Sequence, residues 1–196
     1  MSNKGEKGPL PPTRPVQANK TQPAKPVAYT IPARAIPRSF RPGAQMPKNK
    51  GEGAASGSID LSTFDPDRDL IRIDDPRVIW ESDDDKNDNE DDHLYHRSIE
   101  APLRRLIHLV EEAGGTLEVT DGYRDRHDRI HAKRSLHKEG RAIDLISTGI
   151  DLSHLARLAW AAGFDWVLYE SGKGAHIHAS VRRTPAEYAA TSSKSK

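Results

Sequence analysis

The run Ser135-Leu136-His137-Lys138-Glu139-Gly140-Arg141-Ala142-Ile143-Asp144 couples a turn to a strand and sets a His and an Asp seven residues apart. Gly140 lets the chain turn tightly there, because glycine has no Cβ. From Arg141 to Ile146 (RAIDLI) the pattern alternates as a strand. Ala142, Asp144 and Ile146 take one face, and Arg141, Ile143 and Leu145 the other. A carboxylate sharing a face with Ala and Ile is expensive unless something pairs with it. A metal ion would do so, since a His from a turn and an Asp from the following strand are two of zinc's usual ligands.

A third ligand is available in Ala175-His176-Ile177-His178-Ala179-Ser180-Val181, where two histidines two apart share a strand face. The preceding Phe164 to Glu170 is also strand-like, and Ser171-Gly172-Lys173-Gly174 is a turn. The resulting hairpin brings Glu170 close to His176 and His178. His, Asp and His with a nearby free carboxylate is the constellation of a metal-activated water and its general base. Spacing alone leaves the bland alternatives open. With nine histidines in the chain, a His-x-His is more often a solvated strand, and an Asp beside a Gly-containing turn is commonly a cap.

Taken together, SLHKEGRAIDL, LARLAWAAGFDWVLYES and AHIHASV resemble the amino-terminal signalling domain of Hedgehog proteins, in a bacterial-type form, over roughly Ile71 to Arg183. The core also fits the SxHxxGxAxD pattern of related zinc peptidases, the D-Ala-D-Ala carboxypeptidases and dipeptidases and the lysostaphin-type enzymes. The resemblance implies zinc ligands at His137, Asp144 and His178, with Glu170 as the catalytic carboxylate. His176 and His131 match further histidines lining the Hedgehog cleft. The turn between Glu170 and His176 is two residues longer than in that family.

The remaining chain divides by composition. Thirty basic and 29 acidic residues nearly cancel, yet Met1 to Ser58 carries ten Lys/Arg against two Glu, with most of the prolines. Such a segment reads as a disordered basic Pro/Gly-rich tail. Its charges are spaced by prolines, and only Tyr29 and Phe40 could stack on bases, so a tethering linker is favoured over a nucleic-acid arm. The absence of cysteine excludes a disulfide framework and a thiolate metal site. It also leaves none of the cysteines through which Hedgehog proteins take their lipids. Neither an apolar signal core nor a run of ~18 apolar residues occurs. The expectation is therefore a cytoplasmic protein by default, with a non-classical export route required if the substrate is a cell wall.

Glu81 to Asp92 (ESDDDKNDNEDD) holds eight carboxylates and one Lys. On composition alone a solvated acidic loop is favoured, although dense hard oxygens also suit Ca²⁺. The Hedgehog resemblance places calcium ligands here. Asp83, Asp84 and Asp92 fall on the first set and Asp121 on the second. Arg124 and Arg126 stand where further acids belong, for which Asp125 or Asp128 could substitute.

Ser98 to Ala113 reads as a helix with an apolar stripe of Ile99, Leu103, Leu106, Ile107 and Val110, ended by Gly114-Gly115. Thr116 to Thr120 alternates as a strand. Asp121-Gly122-Tyr123-Arg124 follows, and the D-Ala-D-Ala peptidases carry a similar Gly-Tyr-Arg whose Arg faces substrate. A guanidinium there would steady an oxyanion or grip a terminal carboxylate. A second helix runs from Asp151, a good N-cap, to Ala162, with Leu152, Leu155, Ala156 and Ala159 as its buried stripe and Gly163 as its stop.

The sequence therefore predicts an α+β domain over 59–183, with two main helices on one face of an antiparallel sheet and a zinc cleft on the other. A basic tail (1–58) precedes it and a flexible tail (184–196) follows. The first functional expectation is a zinc metallopeptidase or amidase of the D-Ala-D-Ala carboxypeptidase kind, acting on peptidoglycan-type or short peptide bonds. Glu170 would be its base, and Arg124, His131 or His176 its oxyanion support. The alternative is a non-catalytic Hedgehog-like module that binds zinc and calcium and works by engaging a protein partner.

Overall fold

The computed structural model describes residues 34, 36–81, 93–125 and 134–183. In chain order the elements are β1 (Gln45–Met46), α1 (Glu52–Ser56), α2 (Pro66–Asp69), β2 (Leu70–Arg72), β3 (Val78–Trp80) and β4 (Leu94–His96). A single 3-10 turn (Arg97–Ile99) leads into α3 (Glu100–Glu112), then β5 (Thr116–Asp121) and a second 3-10 turn (Leu136–Glu139). The chain closes with β6 (Ala142–Thr148), α4 (Leu152–Ala162), β7 (Trp166–Glu170) and β8 (His176–Ser180). This is an α+β fold.

Its main sheet has six strands in the order β1-β7-β8-β6-β5-β3, and β2 pairs separately with β4. The expected antiparallel sheet is corrected at one edge, where β3 runs parallel to β5 in the register Val78↔Leu117, Ile79↔Glu118 and Trp80↔Val119. The chain leaves β3, passes through α3 and returns in the same direction, and such a crossover makes the two strands parallel.

Helices α3 and α4 build the core against one face of this sheet. Ile99 at the end of the 3-10 turn and Leu103, Leu106, Ile107 and Val110 on α3 are buried at the three- and four-residue spacing of one helical stripe. Pro102 sits in the first turn, where its missing N–H removes no helical bond. The Asp151 side chain caps α4 by accepting from the His154 amide at 2.7 Å, and Gly163 ends the helix in the left-handed region. Leu155, Ala156 and Ala159 of α4 meet Ile143 and Leu145 of β6 and Ile177 and Ala179 of β8 in one cluster. Because side chains alternate along a strand, Asp144, His176 and His178 project from the opposite face. Among the described residues no helix is long and apolar enough to cross a membrane.

The domain begins earlier than composition indicated. Phe40 is buried in the core, and its amide donates to Ser153 Oγ at 3.1 Å. Gln45 and Met46 pair with Leu168 and Val167 of β7, and Trp166 Nε1 donates to Lys50 O at 3.0 Å. Residues 36–58, assigned to the basic tail by composition, thus form a strap across β7 and α4. The short elements here show no periodicity, and partners more than a hundred residues away hold them.

A buried ion cluster fastens the strap beneath the 3-10 turn that carries His137. Arg141, fully buried, pairs with the equally buried Glu139 at 2.5 Å, and Arg183 reaches the other oxygen of that carboxylate at 2.6 Å. Arg141 also donates to Ser56 O at 2.6 Å, Ser58 O at 3.1 Å and Val181 O at 3.0 Å. A buried charge is tolerable only when it is paired and hydrogen-bonded in this way.

Candidate metal centre

Three chain segments deliver the site. In the 3-10 turn, Ser135 Oγ accepts from the His137 amide at 3.3 Å, and Gly140 closes the turn at φ +64°. A Cβ on Gly140 would lie 2.7 Å from Leu70 Cδ2 and 2.8 Å from the His96 amide nitrogen, so glycine is required for packing as well as for the turn. Asp144 comes from β6 and His178 from β8, directly opposite each other in the antiparallel register. Side chains of such a pair lie close together.

The donor atoms converge. His137 Nε2 is 3.4 Å from His178 Nδ1 and 3.5 Å from Asp144 Oδ1, and His178 Nδ1 is 2.8 Å from the same carboxylate oxygen. One ligand atom from each of His137, Asp144 and His178 lies within 4.8 Å of the others. Tetrahedral zinc with Zn–N distances near 2.0–2.1 Å needs donors separated by about 3.3 Å, so the set fits a small divalent ion.

The opposite nitrogens of both imidazoles are already committed. His137 Nδ1–H donates to Gly122 O at 2.7 Å, and His178 Nε2–H donates to Glu52 Oε1 at 2.7 Å. Each hydrogen bond selects the tautomer whose lone pair faces the cluster, as the outer partners of metal-bound histidines do. Gly122 packs against the Tyr95 ring, where an added Cβ would sit 2.8 Å from the ring.

Contacts within the cluster shift the pKa values of its own groups. Burial alone would lower the His178 pKa, but hydrogen bonds to Asp144 and Glu52 raise it to about 10. Burial acts to raise the Asp144 pKa, and the neighbouring His137, His176 and His178 outweigh it, holding the carboxyl well below its usual value. His176 Nε2 lies 3.3 Å from Asp144 Oδ2 and its Nδ1 donates to Gly174 O at 2.9 Å. The contact with Asp144 brings His176 to about 9. His176 thus grips the outer oxygen of Asp144 and leaves Oδ1 to the cluster.

Around these groups opens a cleft of about 400 Å³ lined by Glu52, Arg134, Ser135, Glu170 and the histidine cluster. Glu170 stands at its rim with a side chain 47% exposed, and its Oε2 is 3.8 Å from His176 Nε2. Arg124 is placed elsewhere. Its Nε lies 3.0 Å from Asp121 Oδ1 and its Nη2 3.6 Å from Glu81 Oε2, and it does not line the cleft. The expected oxyanion donor is therefore engaged by carboxylates behind His137. Asp121, expected among the calcium ligands, faces that guanidinium, while Asp125 is half-buried. His131, Asp83, Asp84, Asp92 and Asp128 lie outside the described residues. Glu52 was missed, because the sequence offered no local signal to lift it out of a Pro/Gly-rich segment.

Fold and site together define an α+β domain with a His–Asp–His candidate metal centre on the open face of its sheet. Comparison with known proteins gives the family. The model of the Hedgehog amino-terminal signalling domain matches residues 28–180, and the chain belongs to that family. The match begins well upstream of Ile71, in agreement with the folded strap. Over 119 residues the chain is 39% identical to the Tiggy-winkle hedgehog protein of Danio rerio, a segment covering 59% of this chain and 27% of that protein. It is 39% identical over 111 residues to the Indian hedgehog protein of Gallus gallus (55% and 26%). Identity to the Indian hedgehog B protein of Danio rerio is 50% over 72 residues (35% and 16%). The matched part spans about a quarter or less of these relatives.

These findings overturn the expected zinc metallopeptidase. The relatives are Hedgehog proteins, and the family model that matches is that of a signalling domain and not of a zinc carboxypeptidase. Neither a peptidoglycan substrate nor the bacterial type follows from them.

Proposed function

We propose that this chain is a non-catalytic, zinc-holding protein-interaction module that presents its cleft face to a receptor-type protein partner. The observation that carries the metal reading is the convergence of His137 Nε2, His178 Nδ1 and Asp144 Oδ1, with the far nitrogen of each imidazole hydrogen-bonded to an acceptor. A bound Zn²⁺ supplies a cross-link between the 3-10 turn, β6 and β8, so its binding free energy is also folding free energy. Membership of the Hedgehog family supports the signalling role. Calcium enters the proposal through the sequence alone, at Asp83, Asp84 and Asp92. Asp121 is already countered by Arg124, which favours the loop acids as the donors.

Elemental analysis of the purified chain should find about one zinc per molecule, lost in His137→Ala. The zinc-loaded chain should then compete with a Hedgehog protein for Hedgehog-responsive cell membranes, and chelation should abolish that competition. Zinc retained without any competition would refute the interaction role, and no zinc would refute the metal reading.

A further inference from the structure

A carboxylate from the N-terminal strap reaches the cluster from outside it. Glu52 lies in α1, and its Oε1 is the acceptor for His178 Nε2–H at 2.7 Å. Ser180 lies two residues along the same face of β8. Ser180 Oγ in turn shares a 2.8 Å hydrogen bond with Ser56 Oγ, at the far end of α1.

Contacts that do not involve Glu52 hold α1 in place. Arg182 Nε donates to Ala55 O, Arg141 donates to the carbonyls of Ser56 and Ser58, and Trp166 Nε1 donates to Lys50 O. Upstream, β1 is paired with β7. The Trp166 ring stands edge-on to the His178 ring, with ring centroids 5.7 Å apart. Glu52 is therefore presented by a segment tied down at both ends, and its hydrogen bond determines which nitrogen of His178 is left to face Asp144 and His137.

We propose that Glu52 is the positioning residue for His178, and that through this contact docking of the segment Pro47–Gly57 is coupled to metal binding at His137, Asp144 and His178. The inference rests on the zinc reading above. Coupling between two binding events is reciprocal: whatever the docked segment adds to metal affinity, the metal returns as tighter docking. Glutamine at position 52 keeps an Oε1 acceptor of the same reach, whereas alanine removes it.

The test uses the full chain. Zinc affinity is measured by chelator competition for wild type, Glu52→Ala and Glu52→Gln. The absorption spectrum of the Co²⁺ form reports ligand geometry, and hydrogen exchange at the Ala54 and Ala55 amides reports α1 with and without zinc. Glu52→Ala should lose roughly 10- to 100-fold in zinc affinity with an altered Co²⁺ spectrum, and Glu52→Gln should recover most of the loss. Zinc should slow exchange at Ala54 and Ala55 in wild type and not in Glu52→Ala. Wild-type affinity and spectrum in Glu52→Ala would overturn the proposal while leaving the metal reading intact. A Glu52→Gln protein as weak as Glu52→Ala would overturn orientation of His178 as the cause. Should Glu52→Ala fail to fold, the near-isosteric Glu52→Gln and the wild-type exchange data still decide. Wild type that binds no zinc would bring down the metal reading and this inference together.

Discussion

Replacing Gly140 by alanine isolates the geometry that holds His137. The residue sits at φ +64°, and an added Cβ would meet Leu70 Cδ2 at 2.7 Å and the His96 amide nitrogen at 2.8 Å. The leucine methyl can swing aside. The amide cannot, because it donates to Gly140 O at 2.9 Å and lies in β4, whose His96 is paired with Leu70 of β2. Placing alanine in the left-handed region costs about 1–2 kcal/mol, and crowding against a fixed backbone adds about 1–3 kcal/mol. The total of roughly 2–5 kcal/mol is a large fraction of what holds a small domain folded. Gly114→Ala is the control: its φ is +80° and a Cβ would meet nothing within 4 Å, so only about 1–2 kcal/mol is at stake. Urea unfolding in chelator, with unchanged slope, should show Gly140→Ala weaker than Gly114→Ala by about 1–3 kcal/mol. Equal losses would refute the claim that the turn is packed onto β4.

Metal binding should depend on pH. Metal-free His178, held at about 10, carries protons on both ring nitrogens at neutral pH. Zinc must displace the Nδ1 proton, so its affinity should rise by about tenfold or more per pH unit across neutrality; calorimetry in buffers of different ionisation enthalpy counts the protons, and a flat profile contradicts the assignment. For stability of the metal-free fold the signs oppose. The raised His178 pKa stabilises fully below 6.5, and this is lost as pH climbs through about 10. The lowered Asp144 and Glu52 values stabilise above 3.8 and 4.5 and are lost on acidification. A stability maximum between pH 4.5 and 6.5 is expected from these groups by urea titration at several pH values. Arg141→Met leaves Glu139 in a buried site with one guanidinium fewer and should cost about 3–5 kcal/mol. In the same unfolding assay the exposed pair Arg104–Glu100 should yield only about 0.3–0.5 kcal/mol in Arg104→Met. Phe40→Ala should cost about 3–5 kcal/mol by thermal or urea unfolding, and no change would return residue 40 to a tail.

Local pattern carried much of the architecture. The α3 stripe, the Asp151 cap, the alternation of β6 and β8 and the Gly140 turn are each set by neighbours within a few residues, so they could be read without a partner in view. The same alternation put Asp144 and His178 on the face opposite Ile143 and Ile177, which made a shared site legible. Other features depend on groups distant in sequence. The parallel β3–β5 edge follows from where the crossover through α3 returns, which no window of sequence contains. The strap of residues 36–58 is composed like a linker and is ordered by partners far along the chain, among them Arg141, Trp166, Ser153 and strand β7.

The sequence by itself determined that His137, Asp144 and His178 could share one face, because turn and strand periodicity dictate side-chain direction. Only the tertiary structure decided how the three are used. It placed Glu52 and Gly122 O behind the imidazoles to choose their tautomers, and it turned Arg124 towards Asp121 and Glu81 instead of the cleft. Hydrogen bonds between residues 15 and 126 positions apart are set by packing of the whole domain, and such choices leave no periodic trace along the chain.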